Sequence, residues 1–441
     1  MNDPDSQALE QDPSRRHLVV LPLTAAVAGV AAGFVGGAFR WLLEHLDAWR
    51  EDLVRWADGA GALAWCVPVV VVAGGAALGA ATTRWVPLAA GSGIQHVEAV
   101  ERGEADPPPL RVVPARFVGG LASIGLGGMV LGREGPTVHM AAAIGAATGR
   151  LLRAGADDIR TLQTTLSGAG LAVAFNAPVA GGLFVFEEIR RRVRVVDVLA
   201  VLAAVACAVG CMRLVLGDHP DFAVPSVDRP SPAAVPIFVV FGAVVGVCGV
   251  AYSRLTVVLL DVVEKMTAVP REIKAAAIGL IVGGVMMIEP LVVGGGDALT
   301  QKLLSGHGFA LSTVVIFLVV RFVAGPLSYA AATPGGLFAP MLALGALMGL
   351  VAGRIVGVFD PALGDQLTPA LVLVGLSTLF AAVVQAPFTG IVLVIEMTSI
   401  TSVTVPMLVS GVGAVTISAL LRNPPIYDEL RKRMLAGPGG R

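Results

Sequence analysis

Charged side chains are scarce in this sequence: they make up only 14% of its 441 residues, whereas hydrophobic residues make up 55%. A soluble domain of this length does not need so much apolar surface and could not easily keep it in solution, which excludes the usual soluble globular classes. The formal net charge of -1 points to no particular charged partner, and no nucleic-acid ligand is expected. The composition therefore predicts a protein whose solvent is the lipid bilayer.

Cysteine is also rare, and no residues have the spacing of a metal site or of a catalytic pair. The four cysteines all lie in hydrophobic stretches without metal-ligand spacing. The sequence has no Ser/His or Asp/Asp arrangement and no histidine-rich run. We therefore expect no metal, no cofactor and no enzymatic activity. An intramembrane enzyme stays open as a different class, for which Glu134, Glu188 and the histidines would be the only candidates.

Long hydrophobic stretches alternate with shorter, broken ones. A helix needs about 20 apolar residues to cross a bilayer, and a segment too short to cross must be buried in protein, because its backbone polar groups find no water in lipid. The sequence thus predicts an all-α polytopic membrane protein with broken, re-entrant helices. The long stretches begin near His17, Gly61, Pro114, Val195, Ala233, Ile273, Leu311, Gly336, Thr368 and Thr401, and the short ones cover 91–100, 135–151, 161–176, 178–189, 298–306 and 386–397.

Four segments of the chain recur in the same order about two hundred residues later. The last pair is the most specific, because Pro178 precedes Glu187 by nine residues and Pro387 precedes Glu396 by the same nine. Duplication with interrupted hydrophobic segments points to a transporter whose substrate site lies between two repeats near the bilayer midplane. The pairs are Gly91-Ser92-Gly93 with Gly294-Gly295-Gly296, Arg116-Phe117-Val118-Gly119-Gly120 with Arg321-Phe322-Val323-Ala324-Gly325, Gly135, Gly145 and Gly149 with Gly335, Gly345 and Gly349, and Asn176-Ala177-Pro178 with Gln385-Ala386-Pro387.

The placement of charge predicts the topology. The loop after Gly217 carries Asp218, Asp221 and Asp228 against the single Arg229, so it is expected outside the cell. Basic clusters are expected in the cytoplasm by the positive-inside tendency. One repeat then enters from the cytoplasm and the other from outside, which predicts inverted repeats. The basic clusters are Arg15 with Arg16, Arg190, Arg191, Arg192 and Arg194 together, and Arg431, Lys432 and Arg433 together.

The predicted organisation is a single membrane domain with short tails. The polar, acidic start of the chain is unlike the basic start of a cleaved signal peptide. The expected divisions are a cytoplasmic N-terminal tail at 1–16, repeat one at 17–216, an extracytoplasmic linker at 217–232, repeat two at 233–421, and a cytoplasmic C-terminal helix and tail at 422–441.

The motif Gly132-Arg133-Glu134-Gly135-Pro136 places two charged residues at membrane depth, where each costs about 2.5 to 3.5 kcal/mol on insertion scales. Its proline marks the first turn of a helix. Free N–H groups and the helix dipole attract anions there, so the Glu134 carboxylate and a transported anion would compete for one place. Protonation of Glu134 would vacate that place. The alternative is a structural ion pair between Arg133 and Glu134 near the headgroups.

Two glycine-containing motifs begin short segments in corresponding parts of the repeats. Gly91-Ser92-Gly93-Ile94 offers a hydroxyl and bare N–H groups at a helix start, which suit a partly dehydrated anion better than a full positive charge. Gly336-Leu337-Phe338-Ala339-Pro340 would bring the amides of Leu337 and Phe338 to the same midplane point. The alternatives are a close-packing turn for the first motif and ordinary small-residue helix packing for the second.

Two adjacent acids, Glu187 and Glu188, precede the basic cluster that begins at Arg190. Glu187 has the repeat mate Glu396, and we interpret both as structural. Glu188 has no counterpart, because Met397 occupies that position in repeat two, and this difference favours a specific role for it. The alternative is an interfacial acid pair neutralised by the arginines.

These motifs, in this order and with a tyrosine after the last membrane segment, resemble the CLC family of chloride channels and proton-coupled antiporters. The resemblance runs from about residue 17 to residue 433. Two stretches are similar in sequence to the bacterial antiporters of the family, namely Phe175-Asn176-Ala177-Pro178 and Ala332-Thr333-Pro334-Gly335-Gly336-Leu337-Phe338-Ala339-Pro340-Met341-Leu342-Ala343-Leu344-Gly345.

The resemblance implies a multi-pass antiporter of chloride and protons in the inner membrane of a bacterium, with both termini in the cytoplasm. It also implies a homodimer with one independent anion pathway per subunit. Carried over residue by residue, it makes Glu134 the external gate and Glu188 the internal proton acceptor. The anion would be bound by the hydroxyls of Ser92 and Tyr427, by the amides of Leu337 and Phe338, and beside Gly93, Ile94 and Gly135.

The sequence departs from the family pattern at Gln95, where the family has a helix-opening proline. Gln95 regains an N–H and adds an amide, which bears on anion selectivity, although Ser92 resembles the chloride-preferring branch. His96 and His139 adjoin the motifs, either as satisfied histidines on a helix surface or as titratable groups. A passive gated chloride channel of the same family is the alternative function, because a channel needs no acid at Glu188.

Overall fold

The computed structural model describes residues 15–190 and 192–437, and its regular structure there is entirely helical. Residues 1–14 of the predicted N-terminal tail, Arg191 and residues 438–441 lie outside the described residues. The first eight helices are α1 (Arg15–Ala60), α2 (Cys66–Trp85), α3 (Ile94–Glu101), α4 (Val112–Gly120), α5 (Glu134–Leu151), α6 (Ala156–Phe175), α7 (Pro178–Phe184) and α8 (Val195–Leu216). The others are α9 (Val235–Lys265), α10 (Arg271–Ile288), α11 (Asp297–Leu304), α12 (Leu311–Ala330), α13 (Phe338–Phe359), α14 (Pro361–Val384), α15 (Pro387–Thr398), α16 (Thr404–Leu420) and α17 (Ile426–Ala436).

Seven helical segments in the described ranges are long and apolar enough to cross a bilayer. They include helices predicted to begin near His17, Val195 and Leu311. The stretches predicted to begin near Pro114 and Thr401 form shorter apolar helices, Val112–Leu126 and Thr404–Leu420. The seven are His17–Ala60, Leu63–Trp85, Val195–Leu216, Pro232–Lys265, Leu311–Ala330, Phe338–Phe359 and Pro361–Val384.

The centre of the molecule is formed by α6, from the first eight helices, and α14, from the remaining nine. Every residue of α6 from Thr161 to Phe175 is buried, and so is every residue of α14 from Ala370 to Val384. Segment 161–176 was predicted to be too short to span and to be buried in protein; the helix there is longer than expected, with 20 residues, but it is enclosed by protein as predicted. Each of these helices ends in the left-handed region, at Asn176 with φ 48° and at Gln385 with φ 63°. The repeated motif thus has the same backbone conformation twice.

The two repeats have opposite orientations, which is clearest where α7 and α15 meet. Glu396, at the end of α15, accepts the backbone N–H groups of Val179 and Ala180 at the start of α7, at 2.9 and 2.8 Å. Glu187, just beyond α7, accepts the N–H groups of Phe388 and Thr389 at the start of α15, at 3.0 and 2.6 Å. The two helices are therefore antiparallel, and the spacing of nine residues lets each glutamate cap the other helix. This is the structural role predicted for the pair.

One face of the molecule, here called the basic face, gathers the ends of α3 and α7 with the C-terminal helix α17. Arg190 pairs with Glu101 at 3.4 Å, and Arg102 pairs with Asp428 of α17 at 2.6 Å. Arg433 joins α17 to the end of α9 through Asp261 at 2.7 Å. The basic loop after α7 and the basic C-terminal helix therefore lie on the same side.

The opposite face, here called the linker face, carries residues 217–232. The side chain of Asp221 is buried there, with Arg40 at 2.8 Å and Arg133 at 3.3 Å. Phe222 donates its N–H to the carbonyl of Met397 at 2.9 Å, so α15 ends on this face, whereas α7 runs toward Arg190 on the other. The linker is thus packed against the helix ends that it connects.

Candidate functional site

Three helix-start loops from the two repeats meet at the centre of the molecule. Gly132 and Gly336 exchange two backbone hydrogen bonds of 2.8 Å, which join the start of α5 to the start of α13. Gly91, just before α3, donates to the carbonyl of Thr333 at 3.1 Å and accepts from Gly335 at 3.3 Å. The positive ends of these helices therefore converge, as expected for an anion site built from broken helices.

Two hydroxyl groups face each other where the loops meet. Ser92 and Tyr427 are both completely buried, and their two hydroxyl groups lie within interaction range of each other. Neither hydroxyl has a partner with hydrogen-bond geometry among the described residues. A buried hydroxyl without a partner is costly, so both groups are suited to donate to a bound anion. Gly135 lies against them, since a Cβ atom there would come within 2.7 Å of the Ser92 oxygen.

The start of α13 forms the opposite wall of the site. Leu337 and Phe338 are fully buried at this start, as is Ile94 at the start of α3. The ring of Phe338 packs edge-on against Tyr427, with ring centroids 5.5 Å apart, and against Phe380, with centroids 4.7 Å apart. The predicted residues are thus brought together from α3, α13 and α17.

Glu134 reaches across to the same helix start. Its Oε1 atom accepts the backbone N–H of Phe338 at 2.7 Å and that of Ala339 at 3.3 Å, and its Oε2 atom is buried without a partner among the described residues. The carboxylate therefore occupies an amide predicted to bind the anion. It does so at the start of α13, in the other repeat, and it also lies against its own backbone N–H at the start of α5.

Arg133 points away from Glu134 toward the linker face. Its guanidinium donates to the carbonyl of Ala174 at 2.9 Å and lies 3.3 Å from Asp221 and 3.4 Å from Asp297. The alternative of a structural ion pair between Arg133 and Glu134 is wrong, because different groups hold the two side chains. The Glu134 carboxylate is therefore not paired with Arg133 and accepts the backbone N–H groups at the start of α13.

The N–H groups before α3 are not bare, contrary to the prediction. Gly93 donates its N–H to the side-chain oxygen of Gln95 at 3.0 Å, and Ser92 donates its N–H to the hydroxyl of Tyr329 at 3.3 Å. Gln95 thus caps the loop with its own carboxamide. Sequence reasoning missed Tyr329, although the chain has only three tyrosines and this one is fully enclosed.

Glu188 lies apart from this cluster, toward the basic face. It is 2% exposed and faces the carboxyl group of Glu98, which is completely buried on α3. Arg190 pairs with Glu101 and with Asp197, at 3.4 and 3.1 Å. Sequence reasoning missed Glu98, whose only signal was an acidic residue inside the short segment that begins at Gly91.

Ion pairs fasten the helix that carries Tyr427. Arg431 of α17 contacts Glu104 and lies 3.8 Å from Glu98, and Asp428 of α17 pairs with Arg102. These contacts join α17 to α3, which follows Ser92. The two hydroxyls are therefore held together by charges on the basic face.

The geometry combines neutral donors with a carboxylate that competes for them. Hydroxyl and amide groups can replace part of the water around an anion and still release it, because none of them carries a full charge. A carboxylate on the same amides excludes an anion by occupying its place and by repulsion. The arrangement is suited to binding an anion and exchanging it against a proton on Glu134.

Comparisons with known proteins agree with this geometry. Residues 74–419 match the family model described as voltage gated chloride channel. The chain is 35% identical over 94% of its length to a protein of Vibrio parahaemolyticus named H(+)/Cl(-) exchange transporter ClcA, of which it covers 89%. It is 34% identical over 98% of its length to the protein of the same name from Vibrio cholerae, of which it covers 92%. The crystal structure of a slow cyanobacterial Cl-/H+ antiporter superposes with a TM-score of 0.89 at 30% identity, over 96% of this chain and 99% of that one.

Proposed function

The chain belongs to the family of voltage-gated chloride channels, and from this premise we propose that it exchanges chloride for protons across the membrane. The relatives that match nearly its whole length carry the name of exchange transporters. The observation that carries the proposal is the Glu134 carboxylate on the amides of α13, beside the unpartnered hydroxyls of Ser92 and Tyr427. One place serves in turn for a carboxylate and for chloride.

Glu134 is the external gate of this mechanism. The ionised carboxylate holds the N–H groups of Phe338 and Ala339 and excludes chloride. A proton on Glu134 removes the charge that binds it there, so that chloride can take the amide of Phe338 together with the two hydroxyls. Chloride binding and protonation of Glu134 thus favour each other, which is the coupling that exchange requires.

Glu188 is the internal proton acceptor. It lies toward the basic face, beside Glu98, and the fully buried ring of Phe184 packs against Phe338 near the anion site. Protons and chloride therefore share the route near Glu134 and follow separate routes toward the basic face. A passive channel would have no use for a buried acid there.

The basic face is the cytoplasmic one in this proposal, and the bilayer is the inner membrane of a bacterium. The first repeat occupies 17–216, the second 233–421, and residues 217–232 form the extracytoplasmic linker between them. Residues 1–16 and 422–441 are cytoplasmic. The protein is a homodimer, and each subunit has its own pathway, which is supported by the fact that Ser92, Glu134, Phe338 and Tyr427 all come from one chain.

Flux in liposomes tests the proposed function. Purified protein is reconstituted, a chloride gradient is imposed, and the external pH is recorded. Exchange predicts that outward chloride movement drives protons inward against their own gradient. Chloride flux without proton movement would identify a passive channel, and the absence of both fluxes would refute transport.

A further inference from the structure

The loop that carries Ser92 is held from behind by a fully buried arginine. Arg116 donates through Nη1 to the carbonyl groups of Gly91 and Ser92, both at 2.9 Å. Through Nη2 it donates to the carbonyl groups of Leu88 at 2.9 Å and Ala90 at 3.4 Å. The guanidinium thus engages the negative ends of the loop's peptide dipoles.

The remaining donor of Arg116 is bound by a histidine. A guanidinium has five N–H donors, and the one on Nε donates to Nδ1 of His139 at 2.6 Å. None of the five acceptors is a carboxylate, so the positive charge behind Ser92 is fully hydrogen-bonded without being cancelled. A buried charge of this kind attracts an anion bound in front of it.

The hydrogen-bond directions fix the state of His139. Because Arg116 can only donate, Nδ1 of His139 must accept, and the ring is neutral with its proton on Nε2. This nitrogen lies 2.9 Å from Nδ1 of His96, which therefore accepts in turn. The proton of His96 is then on its Nε2, facing the backbone of Asp106. The pair consists of two buried neutral imidazoles with one defined order of donors.

The second repeat has the arginine but not the histidine. Arg321 donates to the carbonyl groups of the corresponding loop, yet its Nε atom is buried without a partner among the described residues. His139 lies against Gly93, whereas Ala343 lies against the corresponding Gly296. The loop without the fifth bond has Gly295 in place of Ser92 and hence no hydroxyl. All five hydrogen bonds of the arginine are therefore made only behind the Ser92 loop, which is the loop proposed to bind the anion.

We propose that His139 is a positioning residue for chloride, acting through Arg116. As a neutral acceptor it fixes the guanidinium behind Ser92 and preserves its charge, while His96 fixes the tautomer of His139. An apolar side chain would leave a charged N–H buried and unsatisfied. A carboxylate would accept the same bond but cancel the charge. The inference rests on the proposed chloride transport and adds a determinant of chloride affinity outside the residues that touch the ion.

Two isosteric variants test the acceptor. In His139→Asn the side-chain oxygen replaces Nδ1, and in His139→Leu a group of the same size cannot accept. Isothermal titration of the purified full-length protein with chloride should give an affinity within about twofold of wild type for the asparagine variant and about tenfold weaker for the leucine variant, the loss of one charge-assisted hydrogen bond.

His139→Asp tests the charge and also serves if the leucine variant does not fold. It keeps an acceptor for Arg116 but should weaken chloride binding about tenfold by cancelling the positive charge. All three variants leave Glu134 and Glu188 in place, so the ratio of protons to chloride should stay that of wild type.

Three outcomes would overturn the role of His139: equal chloride affinity in all folded variants, an asparagine variant as weak as the leucine one, or a changed coupling ratio at unchanged affinity. Wild-type protein that binds no chloride would instead refute the proposed function itself.

Discussion

Glu134 and chloride compete for the N–H of Phe338, which Glu134 accepts at 2.7 Å. We predict that Glu134→Gln, which cannot be ionised, abolishes proton coupling and leaves a chloride flux that does not change with pH. Flux in liposomes at two pH values measures both effects. Glu44→Gln, an exposed acid on the linker face, is the control and should keep pH-dependent exchange. Coupled exchange that survives in Glu134→Gln would contradict the gate.

The hydroxyls of Ser92 and Tyr427 have no partner among the described residues, so their hydrogen bonds are available to chloride. Ser92→Ala and Tyr427→Phe should each weaken chloride binding by about 0.5 to 1.5 kcal/mol, the net contribution of one hydrogen bond. Calorimetric titration of both single variants and the double variant tests this. Unchanged affinity in the double variant would place the anion elsewhere.

Glu188 is buried beside Glu98 and has no mate in the second repeat. We predict that Glu188→Gln stops proton transport but spares chloride flux and chloride binding, since the anion route does not pass through it. The neighbouring Glu187→Gln is the matched control, because Glu187 only caps α15. A parallel loss of both fluxes in folded Glu188→Gln would favour a structural acid and a passive channel.

The sequence predicted which side chains lie close together better than it predicted their hydrogen-bond partners. Ser92, Phe338 and Tyr427 do converge, because each adjoins a helix start or a motif whose spacing is visible. The partners of Arg133 and of the Ser92 N–H were not predictable, since Asp221 and Tyr329 are distant in the sequence and reach them only in the folded protein. Such contacts depend on tertiary geometry and leave no local pattern.

Among the helices, α7 and α15 cap each other through Glu396 and Glu187. We predict that Glu396→Ala lowers the free energy of unfolding by about 1 to 2 kcal/mol, because it removes a charged cap from the free N–H groups of α7. Thermal unfolding in detergent measures the loss. Glu396→Gln should lose less, as it keeps one acceptor, and chloride affinity should change little in either. Equal stability of Glu396→Ala and wild type would mean that the cap contributes nothing.

Most helices could be predicted from the length of the hydrophobic stretches in the sequence. Which helices face lipid and which are enclosed by protein could not be predicted from length alone. The enclosure of α14 could not be inferred, because a helix buried in protein and one facing lipid are equally apolar. The break before each short helix was visible through glycine and proline, which fix turns whatever the surroundings. Repeated breaks therefore predicted the architecture, and the burial of a full-length helix such as α14 had to come from the structure.

The molecule has two chemically different faces, the basic face and the linker face, and chemical labelling can test which of them lies outside the cell. Asp157, whose side chain is 94% exposed, lies in the first turn of α6, the helix whose Thr161 accepts a hydrogen bond from Arg190 on the basic face. Asp218, whose side chain is 70% exposed, lies in the linker. With the native Cys66 replaced by serine, Asp218→Cys should react in intact cells with a membrane-impermeant thiol reagent. Asp157→Cys should react only after the cells are opened. The opposite pattern would invert the proposed topology.

The reciprocal caps have a consequence for biosynthesis. Glu396 is 217 residues downstream of Val179, whose N–H it accepts, so α7 is made long before its cap exists. At about 5 to 20 residues per second, the cap emerges roughly 10 to 40 seconds later. During that interval the first repeat is in the membrane with the start of a helix unsatisfied, in a setting where bare backbone groups are costly. The nascent chain must keep these groups near water or another protein until the second repeat arrives in the opposite orientation.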